Sequence, residues 1–406
     1  MRVCLVYDCL FPYTVGGAER WYRNLAERLA AEGHEVTYLT LRQWQRGERP
    51  ELRGVHVVSV GPRMALYTAG GRRRILPPLV FGLGVFVHLL RNGRRYEVVH
   101  TCAFPYFSLL AAALLRPLMR FELVVDWFEV WSRSYWRSYL GAFGGRVGAL
   151  VQRICALAPQ QAFCYSELHA VRLREQGLRG RVTVLRGLYS GEQEPVSADP
   201  EPDSADPSEP VVLFAARLIP EKQVTLAVAA VALAARRIEG LRAEFLGEGP
   251  ERAALDEAIV EHGLQGVVTA RGFADAQTVE AEMRGAMCML LTSRREGYGL
   301  VVVEAAARGT PSVVLAGEDN AATELIVEAV NGTIAHSSDP RSVADAIVRI
   351  HASGTALRES TARWFADNAG WLSLESSLRQ VLDVYAGGPS ATPPRGADRA
   401  IPDARA

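Results

Sequence analysis

Short runs rich in Val, Leu, Phe and Tyr alternate with longer stretches of helical periodicity along almost the whole chain. This alternation restricts the fold more than any other feature, because parallel strands joined by crossover helices produce it. In the first half the strand candidates are residues 2–7, 35–40, 55–60, 98–101, 123–126, 161–165 and 182–185. Residues 18–32 read as a helix, since Trp21, Tyr22, Leu25 and Leu29 recur at its period and Gly33 stops it. The pattern breaks at residues 192–210, which carry seven acids, five prolines and no base, the composition of a solvated linker. It then resumes at 211–215, 243–246, 267–271, 287–292 and 311–315. The expected fold class is α/β with two Rossmann-like domains. The first covers 1–190, the linker 191–210 and the second 211–370. A C-terminal helix near 371–386 can pack back on the first domain, and the Gly/Pro/Ala-rich residues 387–406 are expected to be a disordered tail. Two such sheets facing across a cleft would hold a ligand at the carboxyl ends of their strands.

Charge narrows the partners. Forty-five basic residues balance 45 acidic ones, so no basic excess exists to coat nucleic acid, and no nucleic-acid partner is expected. Of the 45 bases, Lys222 alone is lysine, which makes its position informative. Six cysteines form no CxxC pair and no zinc spacing; buried, reduced thiols and a cytoplasmic location are expected. The opening MRVCLVYD reads as a first strand rather than a signal peptide. The longest apolar stretch, 75–90, is interrupted by Pro77 and Pro78 and reads as shorter than a bilayer span. Arg72, Arg73 and Arg74 precede it, and Arg91, Arg94 and Arg95 follow. Two readings stand: a buried helix with solvated ends, or a helix resting on an anionic membrane surface, peripheral at its inner face.

The second domain carries the clearest chemistry. After strand 211–215, Arg217 and Lys222 stand five apart at a strand's carboxyl end, where an anion could also face the start of the next helix. After strand 287–292 come Glu296, Gly297, Tyr298, Gly299 and Leu300, with Glu304 one to two turns into a helix. Glycines there let backbone approach a ligand, and free helix-start N–H groups favour an anion. Carboxylates grip vicinal hydroxyls in a bidentate manner. Two acids bracketing a phosphate-friendly turn suit a nucleotide sugar. Gly247 in Gly-Glu-Gly-Pro, and Gly272-Phe273 after the following strand, are further turns at strand ends. Neither forms a dinucleotide fingerprint, which counts against an NAD enzyme.

These residues, with Asn331-Gly332 and the Gly16-Gly17-Ala18-Glu19 turn after the first strand, resemble glycosyltransferase family 4 over roughly residues 1 to 380. The resemblance implies a GT-B fold, a nucleoside-diphosphate-sugar donor on the second domain, and transfer with retained configuration. It implies no bound metal and no other cofactor, the nucleotide sugar being substrate; no DxD-type motif lies at a strand end, and the acids from Asp199 to Asp206 fall in the linker. By resemblance Arg217 and Lys222 hold the diphosphate, Glu304 the ribose hydroxyls and Glu296 the donor sugar. Gly297 to Leu300 line sugar and phosphate, and Gly272-Phe273 lies near the base. Cations and helix-start amides would stabilise the departing diphosphate. That assigns catalysis to Glu296, Arg217 and Lys222, with attack and departure on one face and no protein nucleophile.

In the first domain Gly16, Gly17, His100, Trp127, Phe128 and Glu129 are the candidates for the acceptor side. Trp127, Trp131, Tyr135 and Tyr139 are four apart and read as one helical stripe, in the core or stacked on an acceptor ring. The family carries a His after the corresponding strand, binding the donor sugar near its 6-hydroxyl; here Phe128 stands at the matching position. A buried, unpaired hydroxyl costs about 1–3 kcal/mol, so the departure predicts a 6-deoxy donor or another residue in the role. The expected activity is a retaining, metal-independent glycosyltransferase acting on a small-molecule, glycan or lipid-linked acceptor. A nucleotide-sugar epimerase and a non-catalytic nucleotide-sugar-binding protein are the alternatives on the same fold.

Overall fold

Continuous apolar strands need cover on both faces, which crossover helices supply to a parallel sheet. The computed structural model describes residues 1–45, 47–48, 50–68, 73–191 and 210–387. Nearly all of the acidic linker, Arg72, and the expected tail beyond Gly387 lie outside the described residues. The described residues divide into two compact units, one of residues 1–188 with 377–387, the other within 189–376.

The first unit holds β1 (Arg2–Val6), α1 (Gly17–Ala31), β2 (Glu35–Leu41), β3 (Val55–Gly61), α2 (Leu76–Asn92), β4 (Val98–Cys102), α3 (Phe107–Met119), β5 (Glu122–Trp127), α4 (Arg133–Leu157), β6 (Gln161–Cys164), α5 (Glu167–Glu175) and β7 (Val182–Val184). Its seven strands are all parallel, in the order β3-β2-β1-β4-β5-β6-β7, with Cys4 opposite Thr37 on one side and Val99 on the other. Alternate strand residues serve opposite faces. Cys4, Val6, Val99, Leu123 and Val125 join one apolar cluster with side chains of α2, α3, α4 and α5. On the opposite face Tyr22 of α1 stacks on Tyr7 at 4.7 Å and meets Tyr38 and His100 edge-on.

The second unit continues with β8 (Val211–Ala215), α6 (Val224–Ala235), β9 (Arg242–Leu246), α7 (Arg252–Glu261), β10 (Val268–Gly272), α8 (Ala276–Gly285), β11 (Cys288–Leu291), β12 (Arg295–Glu296), α9 (Leu300–Ala306), β13 (Ser312–Leu315), β14 (Asp319–Asn320), β15 (Gly332–Ala335), α10 (Pro340–Leu372) and α11 (Leu374–Tyr385), the last running into the first unit from Ser377. Six parallel strands order as β10-β9-β8-β11-β13-β15, and β12 pairs with β14 apart from them. One face packs on α6, α7 and α10 through Phe214, Phe245, Leu290 and Val313; the other carries Leu213, Met289, Met283 and Ala305.

Two expectations are corrected. Pro77 and Pro78 do not interrupt α2; they occupy its first turn, where no intrahelical N–H is needed. Residues 76–95 are, by length and mean hydropathy (20 residues, 1.2), long and apolar enough to cross a bilayer. Even so, Phe81, Val85 and Leu89 are buried in the first unit's core. Nor do the four spaced aromatics form one helical stripe. Trp127 ends β5, Trp131 lies in the loop, and α4 starts at Arg133, where the Ser132 hydroxyl accepts the Tyr135 N–H at 3.0 Å.

Candidate active site

Adjacent parallel strands release their loops at the same edge, and in the second unit those loops are bonded together. After β8 the chain turns through Pro220–Lys222. The Lys222 carbonyl accepts the Thr292 hydroxyl at 2.8 Å, and the Glu221 carbonyl accepts the Arg294 N–H at 2.9 Å. The loops after β8 and β11 are thereby fixed to each other. Their side chains meet as well: the Lys222 ammonium donates to Glu296 Oε1, with 17% and 16% of the two side chains exposed. An ammonium has three donors, so the pair leaves capacity on both partners. Glu296 lies on β12, held beside Asn320 of β14. Asn320 is buried and bonded throughout: its amide donates to the carbonyls of Ser293 (2.9 Å) and Leu315 (2.8 Å), and its oxygen accepts the Ala322 N–H (3.0 Å). Sequence reasoning passed over Asn320, because an Asn between two short elements resembles any turn residue.

Gly299 caps α9 with a positive φ of 96°, and a Cβ added there would overlap Ala322. Tyr298 is buried and Leu300 begins the helix. Glu304 is half-buried on α9. Arg217 is exposed, and its side chain has no partner among the described residues. Gly297 is half-buried between the β12 carboxylate and this cap.

The loops after β9 and β10 complete the edge. Gly247 donates to the Gly272 carbonyl at 2.7 Å, and at its φ of 141° a Cβ would penetrate the Ala216 carbonyl oxygen. The Leu218 N–H donates to the Glu248 carbonyl at 2.9 Å. Gly247 is thus required by the approach of the Arg217 loop, a packing reason that the sequence reading did not supply. Beyond Gly272 the Phe273 side chain stands 80% exposed.

The first-unit candidates separate into two groups. His100 is corrected: it is wholly buried, with Nε2 3.0 Å from Asp126 Oδ1 and Nδ1 2.6 Å from the Tyr385 hydroxyl. The Trp21 indole donates to the other Asp126 oxygen at 2.9 Å. Burial first, then the negative charge of Asp126, pushes the Tyr22, Tyr165 and Tyr385 hydroxyls well above the ordinary phenol range. This is a closed polar core under α1 and α11. Its only sequence signal was an acid inside an apolar strand. Trp127 is likewise buried, its indole donating to Gln160 Oε1 at 2.8 Å. Neither ring can touch a ligand without unpacking the sheet. The other four reach the surface in part. Gly16 caps α1 in extended backbone that any residue adopts, and Gly17 is exposed. Half-buried Phe128 stacks on Tyr165 at 4.5 Å, and Glu129 accepts the Trp131 indole N–H at 2.7 Å. Among the described residues no three His, Cys, Asp or Glu side chains cluster to hold a metal, and all six cysteines are free and buried.

Comparison with known proteins identifies the family and the fold. The family model of glycosyl transferases group 1 matches residues 197–364, and that of glycosyltransferase family 4 matches residues 15–187. The chain belongs to glycosyltransferase family 4. A GDP-mannose-dependent alpha-(1-6)-phosphatidylinositol monomannoside mannosyltransferase of Mycolicibacterium smegmatis is 28% identical to this family member over 187 residues, 43% of this chain and 47% of that protein. The chain therefore matches about half the length of that curated relative. Among solved structures, a sucrose-phosphate synthase from Thermosynechococcus elongatus matches with a TM-score of 0.77 and 20% identity, covering 95% of this chain and 98% of that one. HepE of Anabaena, solved in complex with UDP, matches at 0.70 with 17% identity, covering 95% and 100%. The fold of this family 4 chain is GT-B, two parallel-sheet α/β domains.

Proposed function

We propose that the chain transfers a sugar from a nucleoside-diphosphate sugar to a hydroxyl of its acceptor, with retained configuration and without a metal. The contact between Lys222 and Glu296, formed where the loops after β8 and β11 are bonded together, carries this reading. Arg217 and Lys222 neutralise the charge that grows on the departing diphosphate, the largest single term available to such a site. Glu296 orients the Lys222 ammonium and accepts a donor-sugar hydroxyl on its remaining lone pairs. The second carboxylate, Glu304, takes the ribose hydroxyls. Gly297 to Leu300 present backbone N–H groups beside sugar and phosphate, and Gly272 with Phe273 borders the base. HepE was solved with UDP, and this supports a nucleotide donor in the proposal. Phe128, in place of a hydrogen-bonding side chain, predicts a 6-deoxy donor or a substitute partner elsewhere.

The acceptor, a small molecule, a glycan or a lipid-linked sugar, is assigned to the first unit, where Gly16, Gly17, Phe128 and Glu129 reach the surface. We place the reaction in the cytoplasm, peripheral to the inner membrane face. A thermal-shift panel of nucleoside diphosphates and their sugars tests the donor: a ligand at a hundredfold its Kd adds about 2.7 kcal/mol. Release of nucleoside diphosphate only when acceptor is supplied, undiminished by a chelator, is the expected result. Product formed from donor alone would replace transfer with epimerisation.

A further inference from the structure

Helices α2, α3 and α4, which cover one face of the first sheet, contain no Asp or Glu, in a chain whose acids and bases balance. Helix α4 is the most unusual of the three. It breaks at Gly141, whose φ of 75° lies in the region glycine adopts readily. Past the break, Gly145 approaches the backbone of Trp136 and Arg137 too closely for any Cβ, and Gly148 lies against the Trp136 ring. The two arms of α4 border a cavity of about 450 Å³ lined by Arg133, Arg137, Arg146, Arg153, Trp131 and Leu150 among others. None of the four guanidiniums has an ion pair or hydrogen bond among the described residues.

The base of this cavity is fixed. Gln152 is buried; its oxygen accepts the Tyr106 hydroxyl (3.0 Å), the Trp131 N–H (3.0 Å) and the Trp136 indole (3.2 Å), and its amide donates to the Trp131 carbonyl (3.0 Å). The four unpartnered guanidiniums are exposed around one concavity whose base is fixed, so their donors are open to an anion that enters it. Their planar donor forks match phosphate oxygens. Beside the cavity, the same helix exposes Phe143, Val147, Leu150 and Ile154, spaced four, three and four apart and so on one stripe. Phe143 is 80% exposed. Self-association through this stripe would bring acid-free arginine rims face to face, a like-charge arrangement. A surface that is both anionic and apolar suits both features, and stable anchoring takes two such signals.

We propose that the α4 cavity binds the phosphate headgroup of an anionic membrane lipid, with Phe143, Val147, Leu150 and Ile154 resting among the acyl chains beside it. The inference rests on the peripheral-membrane placement above, to which it gives a site, and is independent of sugar transfer. The full chain is sedimented with vesicles of phosphatidylcholine, with and without phosphatidylglycerol. Binding is expected only to the anionic vesicles. Each arginine near such a surface contributes about fivefold, so Arg146→Gln with Arg153→Gln should weaken binding roughly thirtyfold. Arg146→Lys with Arg153→Lys, which keeps the charge but not the planar fork, should recover only part of the binding; full recovery would reduce the cavity to a diffuse basic patch and overturn the headgroup site. Phe143→Asp with Leu150→Asp should abolish it, and all variants should keep the wild-type melting temperature and nucleoside-diphosphate thermal shift. Anionic-vesicle binding unaffected by the glutamine pair would overturn the cavity while leaving the membrane placement. No vesicle binding by the wild type would overturn both. Soluble glycerol phosphate bound at the arginines of a chain that ignores vesicles would make the site one for free phosphate. Dimers dispersed by Phe143→Asp, without vesicle binding, would assign the face to a second copy.

Discussion

At the residue scale the sole lysine of the chain is bonded to one of two carboxylates that sequence spacing had singled out. If Lys222 stabilises the departing diphosphate, Lys222→Ala should lower kcat about 10²–10³-fold, the range for losing one preorganised donor. Glu296→Gln keeps the shape but removes the charge that orients the ammonium. The two changes should therefore be non-additive, with the double variant little worse than the worse single one; strictly multiplying effects would place the residues in separate roles. Phe273 gives a second test, since an exposed ring at a strand end has no packing role to lose. Base–aromatic stacking is worth about 1–3 kcal/mol, so Phe273→Ala should weaken nucleoside-diphosphate binding at least about fivefold by calorimetry without lowering the melting temperature of the free protein.

At the scale of elements, the glycine of a strand-end turn shows where packing and ligand binding part company. Gly247 sits with positive φ against the Ala216 carbonyl, so Gly247→Ala combines backbone strain with overlap and should cost about 3 kcal/mol. Because the displaced neighbour is the loop bearing Arg217, donor KM should rise together with the loss of stability; a rise in KM at unchanged stability would favour direct ligand contact. The twelve strands read from the sequence are all present; central ones such as β1, β4 and β11 are buried, mainly apolar runs, whereas the edge strands β3 and β10 are partly exposed and mixed in sequence. β15 was not anticipated: its Gly-Thr-Ile-Ala is too short and mixed to signal a strand before β13 is there to pair with. The β12–β14 pair has two residues on each side, below any periodic signal. Four-residue spacing from Trp127 misled because a strand, a loop and a capped helix happened to place aromatics at one interval. Lys222 and Glu296 stood out because each belongs to a local strand-end motif, but their contact across 74 residues did not. Asp126, Trp21 and Tyr385 did not stand out, because what joins them is contact across distant segments.

At the scale of the whole molecule, two separate cores predict two separable responses. The last helix contributes Leu378, Val381 and Tyr385 to the first unit, where Tyr385 meets His100 and Ser377 accepts the Gly187 N–H at 3.0 Å. Tyr385→Phe leaves the ring in place and deprives His100 Nδ1 of its partner inside a closed core. Such an orphan costs about 1–3 kcal/mol. A nucleoside diphosphate, by contrast, stabilises only the unit that binds it, in proportion to the logarithm of its concentration over Kd. Followed by hydrogen exchange, Tyr385→Phe should raise exchange in β1, β4 and β5 and leave β8, β9 and β11 unchanged. Saturating nucleotide should do the reverse. Equal protection of both sheets by nucleotide alone would mean that the ligand is not held by the second unit's strand-end loops, and the roles given to Arg217, Lys222 and Glu296 would then fall with it.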